Sequence, residues 1–372
     1  CAVDVGLMSI EFNCFDGHDC VSQSLCIANT GVNTAKLYRM EQFVDSFPHE
    51  EAHLTGEEIH KCLDEIERIH ALYSPLRLGL AAAIACCAFT FLLGGGPVEM
   101  ILAFLAAGIG NLIRTKLIKH HFTLYMNIAV SVSAACLVYA LLLNLAELIF
   151  HIPEFHEAGY LCSMLFIIPG FPFITSGIDL AKLDLRSGLE RLTYSIIIVV
   201  VATMFAWIMA LLLNLHPQDF SSMNLAPGLH LLLRLIASFF GVFGFSIMFN
   251  SSIPIAATAA IIGAIANTLR LELVDLAGVP AAAAAFSGAL TAGLLSSLIK
   301  KYNGYPRISL TVPSIVIMVP GLYLYRAIYN FGIMSLTEAV SWSAAAIMII
   351  IALPLGLIFA RIITDKAFRY CT

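Results

Sequence analysis

Beyond residue 75 the chain offers almost nothing to water. Apolar runs fall near 76–93, 97–113, 122–144, 159–181, 192–214, 232–250, 253–270, 278–299, 308–330 and 338–362, with short polar loops between them. About 20 apolar residues cross a bilayer core of roughly 30 Å as a helix. Inside lipid every backbone N–H and C=O must be satisfied by the helix itself or by a closed barrel. Ten such runs therefore predict an all-α polytopic membrane protein with ten transmembrane helices. The composition agrees: 59% of residues are hydrophobic and 12% are charged, about half the ~25% of soluble domains. The net charge of −5 and the lack of a basic stripe argue against a nucleic-acid partner. No P-loop, nucleophile–base pattern or dinucleotide fingerprint points to an enzyme, a cofactor or an ATP-driven pump.

Basic residues set the orientation. Arg77, the trios Arg114/Lys116/Lys119, Lys182/Arg186/Arg191 and Lys300/Lys301/Arg307, and the tail's Arg361/Lys366/Arg369 fall on the side of residues 1–75. The other side holds Arg234, Arg270 and Arg326, with Glu147, Glu154, Glu157 and Asp219 in its longer loops. Both termini are thus expected in the cytoplasm, in an integral protein of the cytoplasmic membrane.

The ten spans divide into two sets of five. Leu76-Arg77-Leu78 returns as Leu233-Arg234-Leu235, Asn111-Leu-Ile-Arg114 as Asn267-Thr-Leu-Arg270, and Pro169-Gly170 as Pro320-Gly321, in the same order at nearly constant offset. Five is odd, so the second copy must start from the opposite face. The expectation is an inverted repeat, a plan common among secondary transporters. The expected units are residues 1–75 as a cytoplasmic domain, 76–216 as the first membrane repeat and 217–372 as the second with a short tail.

Proline breaks spans four and nine at mid-membrane, at Pro169, Gly170 and Pro172 and at Pro320 and Gly321. Proline lacks an N–H and clashes with the carbonyl four residues back, so the carbonyls of Leu165, Ile168 and Val316 are expected to be free. A half-helix starting at mid-membrane also presents N–H groups and a positive dipole end to an anion. Either the breaks form a substrate site between spans four and nine or they are structural kinks. Polar residues just downstream are the candidates to line such a site: Thr175, Ser176 and Asp179 in span four, Tyr323 and Arg326 in span nine. Asp179 is the candidate coupling or gating acid. Asn111 and Asn267 read as substrate contacts or as hydrogen-bonding glue between helices. Glu99, after Gly94-Gly95-Gly96-Pro97, reads as part of a tight turn or a gate.

In the polar N-terminal part, residues 2–12 and 20–29 alternate as strands, and 34–47 and 56–72 read as helices. Thr55 and Glu58 form a capping-box pattern. Cys14, His18 and Cys20 suit a polar turn or, with no second ligand pair, an incomplete metal site. The cysteine spacing suggests no disulfide framework.

With these motifs in place the chain resembles the threonine/serine exporter (ThrE) family along essentially its whole length. The first membrane half carries Gly94-Gly95-Gly96, Asn111-Leu-Ile-Arg114 and Ile168-Pro-Gly-Phe-Pro172 with Asp179. The second carries Phe249-Asn250, Ile253-Pro254, Gly263, Asn267-x-x-Arg270 and Val319-Pro-Gly-Leu-Tyr-Leu-Tyr-Arg326. Measured against the family's cytoplasmic domain, the N-terminal part lacks a first helix, which suggests a truncated chain. The resemblance implies export of L-threonine and L-serine by fused forms, and of dicarboxylates such as succinate by relatives whose halves are separate proteins. The expectation is a secondary exporter of small carboxylate-bearing metabolites driven by the proton motive force. Its partners are that substrate, protons and the lipid bilayer, with a homo-oligomer as a further option. A membrane scaffold or sensor working through its cytoplasmic domain, or a passive channel, is the alternative.

Overall fold

The computed structural model describes residues 2–27, 31–47, 54–150, 156, 159–215, 220, 223 and 225–369. An antiparallel meander opens the chain: β1 (Ala2–Val5), β2 (Ser9–Asp16) and β3 (Asp19–Cys26). The alternating stretch 2–12 is divided by a turn whose Gly6 N–H bonds the Ser9 carbonyl. Gly17 and His18 form the tight turn between β2 and β3, with Gly17 at φ +61°. Cys14 on β2 is disulfide-bonded, which its spacing did not announce.

Helices α1 (Thr34–Ser46) and α2 (Gly56–Glu67) follow. The Thr55 hydroxyl accepts the Glu58 N–H, and the Glu58 carboxylate accepts the Thr55 N–H, the reciprocal cap expected from sequence. The carboxylate also accepts the Thr55 hydroxyl at 2.9 Å, and the two bonds it accepts from Thr55 hold it below the ordinary carboxylate range.

The apolar helices are α3 (Pro75–Leu92), α4 (Pro97–Lys119), α5 (Leu124–Phe150), α8 (Leu185–Leu213), α9 (Pro227–Met248), α10 (Ile253–Asp275), α11 (Ala281–Asn303) and α14 (Leu336–Thr364). Two bent pairs complete the set. Short α6 (Tyr160–Ser163) and a 3-10 turn (Leu165–Ile167) meet α7 (Gly170–Ala181) at 54°; α12 (Arg307–Val316) meets α13 (Gly321–Gly332) at 50°. Among the described residues, eight helices are long and apolar enough to cross a membrane, or ten if each bent pair is one span. A terminal α15 (Lys366–Arg369) ends the described chain.

Helix ends run farther into the polar loops than hydropathy alone predicts. Asp184 caps α8 by accepting the Ser187 N–H, so Arg186, Glu190 and Arg191 join its first turns. Arg186 then binds Asp4, Glu11 and Glu190, fastening the sheet to the start of α8.

The two sets of five make matching contacts. α3 packs on α4, α4 on α5, α5 on α8 and α7 on α8; likewise α9 on α10, α10 on α11, α11 on α14 and α13 on α14. Contacts between the sets come in exchanged pairs: α8 with α13 and α14 with α7, α6 with α13 and α12 with α7. α3 and α9, equivalent in this scheme, lie against each other and run antiparallel. At one end the Tyr73 hydroxyl donates to the Ser251 carbonyl at 2.7 Å, and at the other the Phe91 ring meets His230. Burial raises the Tyr73 phenol above its ordinary range, which keeps it a donor.

Candidate functional site

The two breaks are built alike. Pro169 has φ −81°, ψ 60° and Pro320 has φ −80°, ψ 57°, values typical of an inverse γ-turn. Accordingly the Gly170 N–H donates to the Ile168 carbonyl and the Gly321 N–H to the Val319 carbonyl, each at 2.8 Å. The Leu165 carbonyl accepts Ile168 N–H at 3.1 Å, and the Val316 carbonyl accepts Val319 N–H at 3.2 Å. The expected free carbonyls at Leu165, Ile168 and Val316 are thus satisfied locally: the chain tightens into turns rather than leaving polar groups in lipid.

The breaks also touch each other reciprocally. A Cβ on Gly170 would lie 2.4 Å from Val316 Cγ2 and 3.4 Å from Val319 Cγ2. A Cβ on Gly321 would lie 3.0 Å from Leu165 Cδ2 and 3.3 Å from Ile168 Cγ1. Leu165 and Ile168 hold the same places before the first break as Val316 and Val319 before the second. Each glycine therefore admits the other break, the pattern of a two-fold contact.

This close fit corrects the expected location of the cavity. The space between the breaks, walled by Phe89, Leu165, Ile168, Phe245, Val316 and Val319, holds only about 10 Å³. Rings extend the plug. Phe89 meets Phe245 edge-on at 6.4 Å, Phe245 stacks on Phe249 at 6.4 Å, and Phe249 meets Phe171 at 5.1 Å.

A vestibule lies on each side of the plug. The first, about 350 Å³, is lined by Phe171, Pro172, Thr175, Arg191 and Tyr194 and by Gly31–Thr34 of the N-terminal part. Thr34 is buried there; its N–H donates to the Phe249 carbonyl and its hydroxyl shares a hydrogen bond with Ser251. The Thr175 hydroxyl is spent on the carbonyls of Phe171 and Pro172. Asp179 pairs with Arg191 at 2.7 Å near the C-terminal end of α7. Ser176 bonds the Phe173 carbonyl and faces a separate apolar groove between α7, α8, α13 and α14.

The second vestibule, about 520 Å³, is lined by Pro320, Gly321, Leu322, Tyr323 and Arg326, together with Phe89, Gly94, His230, Arg234, Arg270 and Asp275. Its cations fall into two kinds. Arg234 is neutralised by Glu272 at 2.7 Å and by Asp275. Arg270 donates to Asn267 Oδ1 at 3.2 Å, while its buried Nε has no hydrogen-bond partner among the described residues. The Arg326 guanidinium lies over the Trp342 ring, 4.7 Å from its centre. At the start of α13 the Gly321 N–H is used by the γ-turn, leaving Leu322 and Tyr323 N–H without an intrahelical partner. In α7 the matching pair is Phe171 and Pro172, and Pro172 has no N–H. The second vestibule therefore combines helix N-terminal N–H groups with three lining arginines, a set that the first does not duplicate.

Asn111 Nδ2 donates to the Leu78 carbonyl at 2.9 Å, and Asn267 Nδ2 to Ser238 Oγ at 2.9 Å. Both tie a helix to its predecessor, and neither is among the residues that line the two vestibules. Arg114 donates to the Phe166 carbonyl at 3.1 Å just before the first break. Arg114 and Arg270 each sit beside a break, a placement that their count among the loop charges did not give. The match between Asn111-x-x-Arg114 and Asn267-x-x-Arg270 was the signal that could have found them.

A family model described as "Putative threonine/serine exporter" matches residues 1–214, and one described as "Threonine/Serine exporter, ThrE" matches residues 234–363. The chain belongs to the threonine/serine exporter family. Both of the family's halves are present in this one chain. It is also similar to proteins named "Probable succinate transporter subunit YjjP". The one from Klebsiella aerogenes is 29% identical over 164 residues, 40% of this chain and 61% of that protein. The one from Escherichia coli K12 is 28% identical over 142 residues, 36% of this chain and 53% of that protein. The chain thus spans less than two thirds of either relative's length. No solved structure matches it.

Proposed function

We propose that the protein is a secondary exporter of small carboxylate-bearing metabolites, L-threonine and L-serine first, driven by the proton motive force. The observation that carries this reading is the second vestibule, where Arg270 and Arg326 converge with the N-terminal N–H groups of α13. A carboxylate there gains charge-assisted hydrogen bonds that Arg270 Nε currently lacks. Asp275 and the Tyr323 hydroxyl, on the same wall, suit the ammonium and hydroxyl of an amino acid.

The matched contacts, the paired breaks and the antiparallel α3 and α9 support two five-helix repeats in opposite orientation, residues 76–216 and 217–372. Two halves of one shape can exchange their conformations, so opening on one face mirrors opening on the other. The closed plug with a vestibule on each side fits an occluded state between them. The basic loops place residues 1–75 and both termini in the cytoplasm, and the second vestibule on the outer side. The order for export is then passage across the plug, capture of the carboxylate by Arg270 and Arg326, and release outward.

A dicarboxylate is the second reading. It is favoured by two arginines on one wall and by the names of the relatives. Proteoliposomes loaded in turn with labelled threonine, serine and succinate, under an imposed pH gradient, test both. Gradient-stimulated efflux of threonine and serine is expected; efflux of succinate alone would favour the second reading. Failure to move any of the three would overturn the function.

A further inference from the structure

The most deeply buried carboxylate in the described bundle lies outside both vestibules. Glu99, in the first turn of α4, is 2% exposed. Its Oε1 is 2.7 Å from Nδ1 of His156, whose side chain is 20% exposed. Its Oε2 is buried with no hydrogen-bond partner among the described residues. The setting is tightly built around this pair. The Tyr139 hydroxyl donates to the His156 carbonyl at 2.7 Å. A Cβ on Gly159 would lie 2.0 Å from the Tyr139 oxygen and 3.0 Å from Glu99 Cβ, so only glycine fits at this position beside the carboxylate. Among the described residues, the titratable groups facing Glu99 are His156, Tyr139 from α5 and Cys162 from α6, with Cys86 of α3 beside Cys162.

Packing alone does not ask for this acid. At the offset that matches Asn111 to Asn267, the counterpart of Glu99 is Ile255, equally buried. An isolated buried carboxylate oxygen is costly, and here it is added to one half of a scaffold that closes without it in the other. The location also has a route to the substrate side. Gly94 lines the second vestibule while Gly96 of the same turn approaches Glu99 Oε2. Directly after Gly159, the Tyr160 hydroxyl meets the Tyr325 hydroxyl at 2.6 Å, joining α6 to the helix that carries Tyr323 and Arg326.

We propose that Glu99 and His156 form the exporter's proton-binding site, with the incoming proton taken up at Glu99 Oε2. This rests on the transport reading above. A proton on Oε2 turns the carboxylate into a neutral acid. The charge-assisted bond to His156 becomes an ordinary one, about half as strong, and the packing of Gly159 against Glu99 at the start of α6 loosens. Through the Tyr160–Tyr325 bond that release reaches α13 and the vestibule wall. Asp179, already paired with Arg191, is then a fixed ion pair at the inner end of α7 rather than the coupling acid.

The test has one arm without substrate and one with it. Infrared difference spectra between acidic and alkaline pH, on protein in nanodiscs, should show a protonated carboxyl band in the wild type that Glu99→Gln removes and His156→Gln shifts in midpoint. In proteoliposomes Glu99→Gln should keep threonine–threonine exchange within about twofold while losing at least about tenfold of gradient-driven accumulation. Asp179→Asn should keep both. A band that survives Glu99→Gln with an unshifted midpoint in His156→Gln, or wild-type gradient coupling in Glu99→Gln, overturns the proposal. A band that behaves as expected in a protein that moves no carboxylate supports the proton site and overturns the transport reading instead.

Discussion

The two proline breaks share a backbone and differ in what surrounds it. Pro169 and Pro320 have the same dihedral angles, make the same turn and receive each other's neighbours against a glycine. Downstream, the first break offers Pro172 and Thr175, one without an N–H and the other with its hydroxyl already bonded. The second offers Tyr323 and Arg326 beside Arg270. The two breaks thus share their backbone geometry and differ in the side chains beside it; in the proposed mechanism that difference sets the side on which the carboxylate is held. The cover differs too: the first vestibule is walled in part by the N-terminal segment Gly31–Thr34.

The largest effect that could break this comparison is loss of the second vestibule's charge. Arg270→Gln removes a buried donor to the substrate carboxylate, an interaction of about 2–5 kcal/mol, so substrate half-saturation in the efflux assay should rise at least about 30-fold. Thr175→Ala on the other side should change it less than about twofold. Equal losses in both would contradict the assignment. Next in size is the hinge itself. Gly170→Ala drives a methyl into Val316, and the overpacking should cost about 1–3 kcal/mol in detergent unfolding. Gly321→Ala meets the end of Leu165 at a longer distance and should cost less.

The matched asparagines sharpen the symmetric side. Asn111→Ala and Asn267→Ala should each lower stability by about 0.6–1.7 kcal/mol and leave substrate half-saturation unchanged. The smallest effect lies outside the bundle. Glu58 is held below its ordinary range by the Thr55 cap. Its contribution to α2 is therefore fully present above the unfolded carboxyl range near pH 4.3 and is lost as pH falls through the lower folded value. Amide exchange in residues 56–67 should accelerate in acid, and Thr55→Ala should remove that dependence.

Much of the fold could be read from residues. Hydropathy located every span because lipid admits few alternatives to a helix. The Thr55–Glu58 cap was legible because its partners are three residues apart. The two breaks were legible in proline. Long-range content was not legible. Phe89 and Phe245 are two of 24 phenylalanines, and nothing local marks them as the plug. The γ-turns that satisfy the break carbonyls depend on how the chain relaxes around proline, which a proline rule alone does not give. Glu99 looked like part of a turn because the histidine that meets it lies 57 residues away.

The central claim is that the carboxylate is held on the second-break side of the plug. Substrate protection of single cysteines tests it most directly, using Tyr323→Cys and Thr175→Cys on a transport-active background freed of native cysteines. A membrane-impermeant thiol reagent is applied to vesicles of each orientation with and without threonine, serine or succinate. The account predicts that a transported substrate slows labelling at Tyr323→Cys and leaves Thr175→Cys unchanged. Protection of Thr175→Cys with none at Tyr323→Cys would contradict it.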